Sequence, residues 1–209
     1  VAAAVAADAQ GEVGTTVTAA VIDACRRRHG RCILHVCQRG AVHPQDQRAD
    51  GLGERDVEQE EKEAKQQLKN DRDWYFFIGD MSALPAISVN LETISKDSKG
   101  IIIIQVLSKF DIIKLEKPKN ISLYWIVNPD ERKYKNYLYK KVASVKWLKG
   151  YPYVWGAGEF SDIKLLREYF LVKGLRKENM YLSSYWKIDS DQEEHKIIKK
   201  IDNIEWSKS

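Results

Sequence analysis

Asp73-Trp74-Tyr75-Phe76-Phe77-Ile78-Gly79-Asp80-Met81-Ser82-Ala83-Leu84-Pro85-Ala86-Ile87 is the stretch that decides the fold. Trp74 to Ile78 is a short continuous apolar run, which reads as a strand buried on both faces. Gly79-Asp80 is expected to break it. Ser82 is a candidate N-cap, and Pro85 falls in the first turn of a helix from Leu84 to Ile94, where a missing N–H is harmless. A buried strand, a tight turn and a helix N-terminus together form a candidate anion site, since free backbone N–H groups and the helix dipole point over the turn. The same pattern also describes an ordinary strand–turn–helix without a ligand, because Gly-Asp is a weaker signal than a G-x-G-x-x-G fingerprint.

The pattern repeats downstream. Ile101 to Leu107 is a β-branched run expected to form a central strand, and Ile121 to Val127 a third. Asn128-Pro129-Asp130 hands over to a helix expected from Glu131 to Leu148, with Tyr134, Tyr137, Leu138, Val142, Val145 and Leu148 as its core-facing stripe. Tyr153-Val154-Trp155 is a fourth strand, followed by the small residues Gly156-Ala157-Gly158-Glu159. Ser161 is expected to cap the next helix, and Gly174 to end it. Met180 to Trp186 is a fifth strand, and a helix from Asp191 to Ile204 follows. Strands alternating with helices imply a parallel, doubly wound α/β sheet. Two strands lead into Gly-containing turns that open helices, as expected of a dinucleotide crevice.

The first third is written differently. Every Trp, Tyr and Phe lies at or after Trp74, whereas all three Cys (Cys25, Cys32, Cys37) lie before it. This seam is either a domain boundary or a junction between sequences of different coding origin. Val13 to Asp23 and Cys32 to Val36 are β-prone, Ala41 to Asp56 reads as loop, and Glu54 to Lys69 as a charged, solvated linker. Cys25, His29, Cys32, His35, Cys37 and His43 are of the types that bind zinc. They lack a C-x-x-C or a following His pair, however, and a strand at Cys32–Val36 would put His35 opposite Cys32, so reduced thiols are the expectation.

Length and composition set outer bounds. A chain of 209 residues is one large domain or two small ones, and 44% hydrophobic residues with six Trp suffice for a sizeable core. The net charge of +4 permits an anionic ligand without calling for nucleic acid. No apolar run reaches the ~18–20 residues of a membrane span. The Ala-rich start has no basic n-region and is interrupted by Asp8, so a cytoplasmic monomer is expected.

With these residues in view, the chain resembles the siderophore-interacting proteins, flavin-dependent ferric-siderophore reductases related to ferredoxin reductases. Three segments carry the resemblance. They are Asp73-Trp74-Tyr75 with Gly79-Asp80-Met81-Ser82-Ala83-Leu84-Pro85-Ala86-Ile87; Tyr153 to Glu159 with Leu166-Arg167; and Tyr185-Trp186-Lys187 with Glu193-Glu194-His195. The resemblance implies an NAD(P)H-binding α/β domain over residues 70–209, preceded over 1–69 by part of a flavin-binding β-barrel. Thr15 to Thr18 and Ile33-Leu34-His35 stand where barrel segments would fall, without the Arg and Tyr that the family places against FAD. It further implies electron transfer from NAD(P)H through FAD to a ferric siderophore or other ferric chelate, with release of ferrous iron. Gly79, Asp80, Ser82 and Ala83 would form the nicotinamide-side turn. Gly156, Ala157, Gly158 and Glu159 would line the opposite wall. Tyr185 and Trp186 would stack near the flavin or close the crevice, or simply pack in the core. Where the family commonly carries a basic residue after the third strand, Val127-Asn128 is neutral, leaving Lys109, Arg132 and Lys133 as candidates to meet a 2′-phosphate. No protein acid, base or nucleophile is needed, because the cofactors carry the hydride and electrons. The alternatives are a nucleotide-binding module without flavin chemistry and a zinc-bearing interaction protein.

Overall fold

The computed structural model describes residues 72–208. The strand readings before Trp74, the zinc cluster and the barrel expected over residues 1–69 lie outside them.

Five strands form one parallel sheet: β1 (Trp74–Asp80), β2 (Gly100–Val106), β3 (Ile121–Val127), β4 (Pro152–Glu159) and β5 (Met180–Trp186). Their spatial order is β3-β2-β1-β4-β5. β1, β2 and β4 are buried at every position, which explains why their sequences run apolar without alternation. β3 lies at one edge and alternates, with Tyr124 and Val127 exposed.

Four helices connect and cover the sheet: α1 (Leu84–Thr93), α2 (Tyr137–Ser144), α3 (Phe160–Val172) and α4 (Gln192–Lys208). Helix α1 lies on the face of Gly79, where the Ile87 side chain closes in. Helices α2 and α3 cover the other face, sealing a core of Trp74, Phe76, Ile78, Ile103, Leu138, Val142, Leu166 and Phe170. The chain moves outward from β1 to β2 and β3, then returns to lay β4 on the other side of β1. The sheet is therefore doubly wound, with its switch point between β1 and β4.

Several boundaries differ from the sequence reading. β1 runs through Gly79 and Asp80, and β4 through Gly156, Ala157 and Gly158. Parallel pairing with β1 on one side and β5 on the other keeps these glycines extended. Helix α2 is much shorter than expected, because Asn136 adopts a left-handed backbone (φ 59°) just before it. Of its expected stripe only Leu138 and Val142 are buried, while Tyr134, Tyr137 and Leu148 are exposed. Helix α3 ends as read. Gly174 takes φ 83°, its N–H reaches the Leu171 carbonyl at 2.9 Å, and the Leu175 N–H reaches that of Phe170 at 2.9 Å, a Schellman ending.

Candidate functional site

At the switch point the ends of β1 and β4 lie side by side, with Gly79 in register with Ala157. Asp80 ends β1 and Glu159 ends β4, and both carboxylates are buried. Each turns back to bind the start of its own connection. Oδ1 of Asp80 accepts the Ser82 backbone N–H at 2.8 Å and the Ser82 hydroxyl at 2.5 Å. Oε2 of Glu159 accepts the N–H groups of Ser161 at 2.6 Å and Asp162 at 3.2 Å. The cap ahead of α1 is thus Asp80 and that of α3 is Glu159, in place of the expected Ser82 and Ser161. A carboxylate reaches orphan N–H groups as well as a hydroxyl does and adds a charge that the helix dipole favours. The chain's own carboxylates thus occupy the Ser82 N–H in the short turn Met81–Ala83 and the first N–H groups of α3, donors read from sequence as free for an anion, whereas α1 itself, with Ala83 at its N-cap, has no side-chain cap.

The same two side chains fasten the end of β5. Trp186 Nε1 donates to Asp80 Oδ2 at 2.8 Å, and the Ile188 backbone N–H donates to Glu159 Oε1 at 3.3 Å. Further along, Asp189 meets Arg132 of the β3–α2 loop at 2.6 Å, both side chains being largely exposed.

A polar row continues across the sheet end. Gln105 of β2 is in register with Asp80. Its amide donates to Glu131 Oε1 at 2.7 Å. Buried Asn128, just after β3, donates to the Tyr134 carbonyl at 3.1 Å and toward Gln105 Oε1 at 3.4 Å. Asp162 Oδ1 accepts the Tyr139 N–H at 3.2 Å and so serves the first turn of α2 from α3. Burial, then the charge of Asp80, pushes the Glu131 carboxyl up to about 7. Burial likewise pushes Asp162 up to about 6 against the hydrogen bond from Tyr139, with Glu159 and Asp80 adding repulsion. Asp80 is raised by burial although Ser82, Trp186 and the Glu159 backbone all donate to it. The crevice floor is rich in acceptors and poor in cations.

The structure brings Gly79, Asp80, Ser82, Ala83, Gly156, Ala157, Gly158, Glu159 and Trp186 together around the switch point. A Cβ on Gly79 would stand 2.5 Å from the Ala83 Cβ, and one on Gly156 2.8 Å from a Leu182 methyl, so both glycines serve close packing. Tyr185 is half-buried beside Trp186 at the end of β5. Lys109 stands apart in the turn after β2, its ammonium 5.8 Å from the ring centre of Phe110. Arg132 is engaged by Asp189, and Lys133 lies over the Tyr134 ring. Sequence reasoning missed Gln105, Asn128, Glu131 and Asp162. Gln105 alone carried a signal, as the single polar residue inside the run Gly100–Val106.

A parallel doubly wound sheet with a carboxylate-lined crevice at its switch point defines the chain as an open α/β domain. The family model for siderophore-interacting proteins matches residues 72–189, and the chain belongs to that family. Its relatives include an uncharacterized protein of Mycobacterium tuberculosis, 30% identical over 141 residues, covering 61% of this chain and 49% of the relative. The ferric vibriobactin reductase ViuB of Vibrio cholerae is 26% identical over 127 residues, covering 58% of this chain and 45% of ViuB. The chain thus spans about half the length of the curated relatives it matches. Among solved structures, the siderophore-interacting protein SipS from Aeromonas hydrophila superposes with a TM-score of 0.54 at 25% identity, over 63% of this chain and 52% of that one. The siderophore-interacting protein from Acinetobacter baumannii shares the fold with a TM-score of 0.58 at 18% identity, over 68% of this chain and 56% of that one. Among the described residues no helix is long and apolar enough to cross a membrane, and no cluster of His, Cys, Asp and Glu could hold a metal ion.

Proposed function

We propose that residues 72–208 are the nicotinamide-nucleotide side of a ferric-siderophore reductase. The observation that carries this is the junction of β1 and β4, where two of the segments shared with the family meet at the switch point of the sheet. The reacting end of NAD(P)H is a flat carboxamide-bearing ring on a ribose, uncharged and carrying hydroxyl and amide donors. Asp80 and Glu159 are engaged by the chain's own donors and place negative charge beneath the crevice, so the residues present fit the uncharged nicotinamide riboside end better than a pyrophosphate. Ser82 and Ala83 form the turn on the α1 side, and Gly156 to Gly158 form the strand wall opposite. The nucleotide's phosphates would have to find charge elsewhere, with Arg132 and Lys109 the nearest candidates in sequence. FAD, when bound, accepts a hydride and passes electrons singly to ferric iron; the family resemblance assigns its holding to the part of the protein before Arg72. The described domain then binds the donor nucleotide, orients its ring and keeps positive charge off the crevice floor. The substrate is a ferric siderophore or comparable chelate.

A second reading, a nucleotide-binding domain without flavin chemistry, is favoured by the absence of any Tyr before Tyr75 and of the family's flavin-facing Arg. One experiment separates the two. The purified chain is examined for flavin absorbance, before and after incubation with FAD, and for NADPH-dependent Fe(II) release trapped by a chromogenic chelator. Flavin bands with Fe(II) release support the reductase. A colourless protein that cannot be reconstituted, yet binds NADPH, supports the second reading.

A further inference from the structure

Trp186 is the last residue of β5, and β4 lies between β5 and β1. Its indole N–H nonetheless reaches the Asp80 carboxylate at the end of β1. The bond must therefore pass over the end of β4, and the residue beneath it is Gly158. A Cβ on Gly158 would stand 2.7 Å from Asp80 Oδ2, so only glycine leaves room for the carboxylate there. The other oxygen of Asp80 is held by both the backbone and the side chain of Ser82. The carboxylate is thus locked to the α1 side by one oxygen and holds the indole by the other. An N–H held by a carboxylate is a charge-assisted bond with a defined direction, which fixes a ring plane more firmly than packing alone. One residue beyond the neighbouring Lys187, the Glu159–Ile188 bond stops the segment from lifting. Trp186 itself is only partly buried at the end of β5, beside the switch point.

Resting on the nicotinamide reading above, we propose that Asp80 is a positioning residue that sets the Trp186 indole as the plate against which the nicotinamide ring stacks, with Gly158 as the gap through which the tie passes. Asp80 does this without touching the ring. A carboxylate that served only to cap the turn before α1 would need Oδ1 alone; the second oxygen is spent on Trp186.

The test compares two ligands on the full chain: NADPH, and 2′-phospho-ADP-ribose, which is the same nucleotide without its nicotinamide. Affinities are measured by calorimetry for wild type, Asp80→Ala, Trp186→Phe and the double variant. Each single variant is expected to weaken NADPH about three- to tenfold, the range of an aromatic contact, and to leave 2′-phospho-ADP-ribose unchanged. The double variant is expected to be no weaker than the worse single one, because both remove the same tie. Equal weakening of both ligands would show a merely structural role and overturn the proposal. Unchanged NADPH binding in Trp186→Phe would also overturn it, and this variant decides the matter if Asp80→Ala fails to fold. A wild-type chain that binds neither ligand would instead overturn the nicotinamide reading itself.

Discussion

Gly158 shows how one missing side chain can decide a site. From sequence it reads as a small residue in a glycine-rich turn; in the fold it is an extended strand residue beneath a hydrogen bond between its two neighbouring strands. Gly158→Ala is expected to push Asp80 away and cost about 1–3 kcal/mol, the range of overpacking in a filled interior. Gly174 tests the contrasting cause. Nothing lies within 4 Å of a Cβ there, but φ is 83°. Gly174→Ala should lower stability by only about 1 kcal/mol, through backbone strain at the end of α3. Thermal unfolding of the two variants measures both, and the larger loss belongs to Gly158. Glu131 makes a prediction about pH. Its carboxyl is pushed up to about 7 in the folded protein by burial and by Asp80, whereas the ordinary value is 4.5. The folded state therefore binds more protons than the unfolded state between these values. Stability is fullest below about 4.5 and falls as pH rises through about 7. Glu131→Gln, which can still accept the Gln105 amide, should flatten that decline. An unchanged slope of melting temperature against pH would contradict this reading of Glu131.

At the scale of elements, what sequence revealed was hydrophobic run length, and what it hid was capping. Trp74–Ile78 and Ile101–Leu107 were legible because a strand buried on both faces must be apolar at successive positions. The capping carboxylates were not legible. Nothing local distinguishes Asp80 from any other turn aspartate, and Ser82 and Ser161 are equally good caps by type. Only the three-dimensional return of each strand end decides which oxygen faces which N–H. Helix α2 was over-read for a similar reason, since its apolar spacing continues past the point where Asn136 turns left-handed. Helix α4 shows the opposite case. Its only buried side chain is His195, whose Nε2 lies 3.1 Å from the Ser184 hydroxyl, and Ile197, Ile201 and Ile204 are exposed. Trp206 packs its ring against the core, and polar bonds fasten the helix beside it. Buried Arg167 of α3 pairs with Asp202, reaches Asn203 Oδ1 at 3.3 Å and donates to the Leu182 carbonyl at 2.7 Å. Asp202→Ala would leave this guanidinium short of its carboxylate. It is expected to cost about 3–5 kcal/mol, as for a buried pair broken on one side. Hydrogen exchange should then rise first in residues 192–208, ahead of the strands. Uniform loss of protection across the sheet would show that α4 is not held this way.

For the whole molecule, the question is how much of the chemistry the described domain carries alone. Its sheet carries helices of its own on both sides of β1: α1 on the face of Gly79, and α2 and α3 over the core of Trp74, Phe76 and Ile78. Its crevice lies at the ends of β1 and β4, where the acceptors belong to the same residues. A chain beginning at Arg72 is therefore expected to fold cooperatively and to bind NADPH as the full chain does. If flavin belongs to the part of the protein before Arg72, that shortened chain will take up no FAD and release no Fe(II). Circular dichroism, NADPH calorimetry and flavin absorbance on the full and shortened chains separate these functions. Should the shortened chain fold, bind NADPH and also take up FAD, the division of labour proposed for the two parts would be wrong. Should it fold but lose NADPH, the nucleotide would need contacts from the preceding part, and the acceptor-lined crevice between Asp80 and Glu159 would be only half of its site.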